Sequence, residues 1–341
     1  MKLIERFAQK PCVFSIEVFP PKKDGAGPET LFPRLAEMAR LHPDYISVTY
    51  GAGGSAAGKG TCEIAAYLKH TLGVEPLAHL TCVGATEQQT ADALAALARQ
   101  GIENVLALRG DMKPGMPDVP GAFAHASDLA AFVRARGDFC VAGACYPEGH
   151  VESASLRADV QDLHYKIDAG TQFLVTQLFF DNGCYYRLLN MARRAGYTLP
   201  IEAGVMPIVR ASQIQRTVAL SSASLPGAFT RMISRWEHDE ASLYEAGIDY
   251  AVRQLRDLIE GGADGVHLYA MNNAEVARRV YEGICDLLPA ADAPGTADDP
   301  ARASAPQGAQ GAASGSAPAA AAAAADAPGG SAPAPGAAPC R

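Results

Sequence analysis

The chain has 341 residues, 48% of them hydrophobic, which is enough for one large domain or two ordinary ones with a buried core. Its net charge of −8 argues against a nucleic-acid binder, which carries a basic patch or stripe. No run approaches ~18 consecutive core-like apolar residues, so no transmembrane helix and no membrane partner are expected.

The N-terminal stretch MKLIERFAQKPC lacks the apolar run of a signal peptide. The eight cysteines are scattered, with no CxxC pair and no zinc-like cluster. They read as reduced thiols of a cytoplasmic protein without a metal.

From there one pattern repeats. Short β-branched runs begin near positions 13, 45, 76, 104, 139, 173, 201 and 265. Each is followed by a turn and a stretch of helical period. Leu31, Leu35, Met38 and Leu41 share one helix face, as do Leu156, Val160, Leu163 and Ile167. Thr86 with Gln89 forms a capping box, and Ser127 is the expected N-cap of DLAAFVRAR. The gap before the last strand is about twice the others and predicts extra helices there. Strand and helix in unbroken alternation imply parallel pairing with helices over the sheet. Eight such units predict a (β/α)8 TIM barrel over residues 1–289, with a doubly wound open sheet as the alternative. From about Ala290 the chain turns to Ala, Pro, Gly and Ser. Segment 290–341 is expected to be disordered, because it cannot bury enough apolar surface to offset its ordering entropy.

A barrel places its chemistry at the C-terminal ends of the strands. The first strand carries Glu17 between Ile16 and Val18, and a buried carboxyl there would have a raised pKa and serve as a general acid. An internal salt bridge is the equal alternative. The second ends at Thr49 and Tyr50, the third contains His79, and the fourth ends in Arg109, Gly110 and Asp111. Tyr146 and His150 follow the fifth, Gln177 ends the sixth, and Tyr269 and Asn273 follow the eighth. Asp159, Asp162 and Lys166 share one helix face, read first as solvated and second as a cofactor grip. There is no HExxH, GxSxG or GxGxxG motif, so neither metal nor acyl-enzyme chemistry is supported. The loop TYGAGGSAAGKGT places Gly53, Gly58 and Lys59 at P-loop spacing. Gly60 stands where a P-loop needs Ser or Thr, which removes that reading and leaves Lys59 as a solvated loop residue.

The ordered segments FSIEVFPPK, ISVTYGAGG, HLTC, LALRGD, ASDL, YPEGH, KIDAG, TQLFFD, GVMPI and HLYAMN resemble bacterial-type methylenetetrahydrofolate reductase. The resemblance implies a (β/α)8 barrel holding FAD. It implies reduction of 5,10-methylenetetrahydrofolate to 5-methyltetrahydrofolate with NADH or NADPH, NADH being the expected donor. Glu17 matches the family's catalytic acid and Asp111 a residue beside flavin and folate; Gln177 and Tyr269 match folate contacts. For FAD the matching positions are Thr49, Tyr50, Ala52, His79, Arg109, Gly110, Asp111, Ala126, Tyr146, His150, Asp159, Asp162 and Lys166. Four departures stand out. Asn273 replaces an Arg that contacts folate, Asp162 an Asn, and Tyr165 an Arg beside the FAD phosphates; Ser153 also replaces an Ala near the flavin. A homo-oligomer is expected. Two other readings stay open: an FAD-binding subunit reduced by a partner protein, and a flavin-free pterin-binding barrel enzyme.

Overall fold

Each strand of this chain is short, apolar and bounded by a helix, so its two faces must be covered from both sides. The computed structural model describes residues 1–21, 27–50, 55–110, 121–221 and 223–289. Eight parallel strands close in sequence order into a barrel. They are β1 (Val13–Val18), β2 (Tyr45–Val48), β3 (Glu75–Thr81), β4 (Asn104–Leu108), β5 (Cys140–Cys145), β6 (Phe173–Thr176), β7 (Ile201–Val205) and β8 (Gly265–Leu268). The ring closes where β1 meets β8, with Ser15 opposite His267. The open-sheet alternative is thereby excluded.

Helix α1 (Leu3–Gln9) precedes the barrel, and α2 (Phe32–Ala39), α3 (Ser55–Tyr67) and α4 (Glu87–Arg99) follow the first three strands. Next come α5 (Ala126–Arg136), α6 (Leu156–Asp168) and α7 (Asn182–Arg194). Between β7 and β8 the expected extra helices are α8 (Ala211–Ser221), α9 (Gly227–Trp236) and α10 (Glu240–Glu260), and α11 (Ala274–Glu282) follows β8. The longest, α10, shows why the sequence makes a helix. Leu243, Ile248, Ala251, Leu255 and Leu258 fall on one buried stripe, and Asp239 caps its first turn by accepting from Ser242 N.

Two local expectations are corrected. Ser127 is not the N-cap of α5, because the helix starts at Ala126 and already includes it. His125 holds the cap position, and Asp128 reaches back to accept from its backbone N–H at 2.9 Å. Lys59 is not in a loop, because α3 begins at Ser55 and runs through it. The Thr86–Gln89 capping box is present as expected.

Inside the ring, side chains alternate inward along each strand. At the N-terminal end the interior is apolar. Leu3 of α1 is fully buried against Val13, Leu77, Leu106, Phe173 and Val175, and Phe7 lies 4.9 Å from the Phe173 ring. Asn104, the first residue of β4, fixes this plug by accepting from Leu3 N at 2.8 Å. The C-terminal ends of the strands therefore form the accessible mouth. Among the described residues no helix is long and apolar enough to cross a membrane.

Candidate active site

Parallel closure brings the C-terminal strand ends to one face, and several of the predicted residues lie at those ends. Glu17, next to last in β1, keeps 21% exposure, so it is only partly buried. Its Oε2 lies 3.7 Å from His79 Nε2 of β3 and 3.8 Å from His267 Nε2 of β8. The acid thus stands between two imidazoles that are themselves buried, at 4% and 1% exposure. His79 Nε2 has no hydrogen-bond partner. Burial, outweighing the attraction of Glu17, pulls its pKa down to about 4 and keeps the ring neutral.

One side of the mouth is formed by the ends of β2 to β5. Thr49 donates its N–H to Val18 O and accepts from Thr61 Oγ1 through its carbonyl. Tyr50 packs partly buried against the core, and burial raises its pKa. Gly110 has φ +86°, and a Cβ there would lie 3.2 Å from Thr81 Cβ. Glycine thus allows both the left-handed turn and the close approach to β3. Arg109 forms a two-pronged ion pair with Glu152, at 2.5 and 2.9 Å. Tyr146 packs edge-on to His150, with ring centroids 4.7 Å apart. His150 Nδ1 accepts from Glu152 N, so one loop holds both groups. Ala126 is the first residue of α5, the helix between β4 and β5.

The polar face of α6 is not uniformly solvated. Asp159, in its first turn, accepts from Ser153 Oγ at 2.8 Å, so Ser153 has a local role. Lys166, two turns on, donates to Ala144 O at 2.6 Å, and burial lowers its pKa. Its side chain reaches the mouth because helix side chains tilt toward the helix N-terminus. Asp162 is exposed. The shared face divides because Lys166 is long enough to reach β5.

On the other side, Gln177 follows β6, donates its N–H to Cys145 O and accepts Leu178 N with its side chain. Tyr269 donates its hydroxyl to Thr176 O at 2.7 Å and meets His267 edge-on at 4.9 Å. Its ring occupies the space Gly204 leaves, where a Cβ would lie 2.6 Å from Tyr269 Cε2. Asn273 is the N-cap of α11 and accepts from Val276 N at 3.2 Å. Its carboxamide is thus engaged by its own helix. Asp111, Ala52, Gly53, Gly54 and segment 290–341 lie outside the described residues.

Several mouth and interior residues were not singled out from the sequence. His267, Ser15 and Glu202 form a buried polar file beneath Glu17. Asn272, at φ +57°, exchanges two hydrogen bonds with the Phe19 backbone and fixes the chain after β1. The available signal was the alternation itself. Ser15 and Glu17, and His267 and Tyr269, are polar pairs two residues apart and so face one side of a strand.

The comparisons with known proteins agree with this geometry. The family model described as methylenetetrahydrofolate reductase matches residues 2–285. The 5,10-methylenetetrahydrofolate reductase of Escherichia coli (strain K12) is 32% identical over 269 residues, covering 77% of this chain and 87% of that protein. The probable methylenetetrahydrofolate reductase (NADH) of Oryza sativa subsp. japonica is 35% identical over 290 residues, covering 80% of this chain. This chain spans about half the length of that relative, 48%. Among solved structures, an uncharacterized protein from Clostridium thermocellum that binds two copies of 5-methyl-5,6,7,8-tetrahydrofolic acid matches with a TM-score of 0.54. That likeness covers 84% of this chain and 99% of the other at 12% identity, and so speaks to the fold. With a family model spanning the whole barrel and bacterial relatives aligned along most of their length, the chain belongs to the methylenetetrahydrofolate reductase family.

Proposed function

We propose that this protein reduces 5,10-methylenetetrahydrofolate to 5-methyltetrahydrofolate, with FAD as cofactor and NADH as electron donor. The observation that carries the reading is Glu17, a carboxyl group at the barrel mouth between two buried imidazoles. FAD, when bound, supplies the hydride carrier between the pyridine nucleotide and the folate.

The residues present fit that cofactor. His79 offers an unpaired buried ring nitrogen, and Gly110 offers a backbone without a side chain. Arg109 and Lys166 add positive charge for a diphosphate. With Thr49, Tyr50, Ala126, Tyr146, His150 and Asp159 they occupy the β2–β5 side of the mouth. Gln177 and Tyr269 remain on the β6–β8 side for the folate.

The proton chemistry falls to Glu17. It protonates the bridging nitrogen of the substrate and opens the five-membered ring as a general acid, a role worth about 10²–10⁴ in rate. His79, held neutral, stands beside the carboxyl without supplying a positive charge that would favour its ionised form. Tyr269, with its hydroxyl tied to Thr176 O, presents a fixed ring edge to the same space.

The test is an anaerobic absorbance series. Protein loaded with FAD should bleach on adding NADH and recover its colour on adding methylenetetrahydrofolate, with 5-methyltetrahydrofolate as the product by chromatography. Protein that takes up no FAD would sink the reading. Flavin that neither NADH nor NADPH reduces would move the donor role to a partner protein.

A further inference from the structure

Among the described residues, the most deeply buried acid has no part in the function proposed above. Glu202 of β7 is fully buried. Its Oε1 accepts from Ser15 Oγ at 2.6 Å, and its Oε2 accepts from the Tyr45 hydroxyl. Ser15 Oγ lies 2.6 Å from His267 Nδ1. On its far side His267 Nε2 faces Ser47 Oγ at 3.5 Å and Glu17 Oε2 at 3.8 Å. A file of exchangeable groups, with one 3.8 Å gap at its outer end, therefore runs from Glu202, deep in the barrel, toward the acid at its mouth. Interring a carboxyl is costly, by several kcal/mol when it is ionised, and an apolar side chain would pack the same position at no such cost. The chain retains the carboxyl and satisfies both of its oxygens.

We propose that Glu202 stores a proton for Glu17, passing it through Ser15 and His267 while substrate closes the mouth. The proposal rests on Glu17 as the acid of the reaction above. In the loaded state Glu202 is protonated and donates to Ser15 Oγ, Ser15 donates to His267 Nδ1, and His267 carries its proton on Nε2 toward the Glu17 carboxylate. Three transfers then move together. The Glu202 proton passes to Ser15 Oγ, the Ser15 hydroxyl proton passes to Nδ1, and the Nε2 proton passes to Glu17. His267 stays neutral and changes tautomer, one negative charge moves from Glu17 to Glu202, and nothing is oxidised or reduced. When the mouth reopens, a proton from bulk water enters at the partly exposed Glu17 and runs the file backwards. The 3.8 Å between Nε2 and Glu17 is closed by rotation of the Glu17 side chain, whose 21% exposure leaves it that freedom.

The surroundings favour a stored proton. Burial pushes the Glu202 carboxyl pKa up, and Asp44 adds to it, while His267, Ser15 and Tyr45 oppose it. Cys12 and Tyr269 also sense the Glu202 charge. None of these supplies a fixed cation beside Glu202.

Glu202→Gln keeps the shape and removes the stored proton. In FAD-loaded protein, bleaching by NADH is expected to stay within about twofold of wild type. Reoxidation by methylenetetrahydrofolate should slow about tenfold, a part of the full general-acid effect, with a shifted pH profile. The rate in mixed H2O and D2O should change from a curved to a linear dependence on deuterium fraction. Ser15→Ala, which cuts the file but leaves Glu202 and Tyr45 paired, should do the same and serves if Glu202→Gln does not fold. A second measurement needs no turnover. With 15N-labelled histidine, NMR should show His267 moving between its Nε2–H and Nδ1–H forms as the pH is varied in wild type, and held in one form in both variants. Unchanged reoxidation profiles, or a His267 tautomer indifferent to Glu202 and Ser15, would overturn the relay. Wild-type protein that binds no FAD or leaves the folate untouched would instead overturn the parent reading, and the NMR result would still decide the coupling.

Discussion

At the N-terminal end of the strands Leu3 is buried among Val13, Leu77, Leu106 and Phe173, and Asn104 satisfies its N–H. At the C-terminal end Glu17 is partly exposed, His79 leaves a buried nitrogen unpaired, and Arg109 is held by a carboxylate from a loop. One end is filled by an apolar plug; the other carries a partly exposed acid beside a buried imidazole nitrogen without a hydrogen-bond partner. At a barrel mouth lined by polar strand-end residues, an unpartnered buried ring nitrogen is a group a ligand can complete. The contrast therefore divides the molecule into an end that holds the barrel shut and an end that does chemistry.

The sharpest way to break this division is Glu17→Gln. Reoxidation by methylenetetrahydrofolate should fall by about 10²–10⁴ while bleaching by NADH persists, because only the folate step needs the acid. Stopped-flow absorbance on each half-reaction checks it, and equal loss in both would remove Glu17 from the acid role. At the opposite end, Leu3→Ala should lower unfolding stability by about 2–5 kcal/mol through the cavity it leaves. Urea denaturation measures this, and the folded fraction should bleach with NADH at the wild-type rate.

A third prediction concerns acid. His79 titrates near 4 when folded and near 6.5 when unfolded. Between those values the unfolded chain binds the extra proton. The stability tied to a neutral His79 is therefore full above about pH 6.5 and is lost as pH falls toward 4, by about 3 kcal/mol. Urea titrations across that range should show His79→Gln with a flatter acid limb than wild type; parallel limbs would contradict the assignment. The smallest effect is expected at the rim. Glu152→Gln frees Arg109 from a largely exposed pair worth about 0.2–1 kcal/mol, and should tighten FAD binding by no more than about fivefold. Fluorescence titration of FAD reads it, and weaker binding would show that Glu152 helps rather than competes.

Much of the fold was legible in the sequence because strand and helix alternate with clear periods. Every strand begins within a residue of its expected place, from Val13 to Gly265. The strand-end residues Glu17, His79, Arg109, Tyr146, Gln177 and Tyr269 reach the mouth because parallel pairing alone sends all C-terminal ends to one face. The start of α5 was less legible. His125 is a weak cap by residue type, and Asp128 reaching back to it outweighed the better cap residue Ser127.

Glu202 shows what the sequence could not display. In IEAGVMPI it is one polar residue at the start of a strand, and nothing local distinguishes a solvated strand end from a barrel interior. Its partners Ser15 and Tyr45 are 187 and 157 positions away and meet it only when β7, β8, β1 and β2 close the ring. The same holds for Asp159 and Lys166, whose helical spacing placed them on one face but left open what that face meets. Local period and composition, acting over a few residues, determined the barrel and the residues at its mouth. Long-range closure decided which groups touch, because side-chain pairing across a barrel depends on register and shear that no single strand encodes.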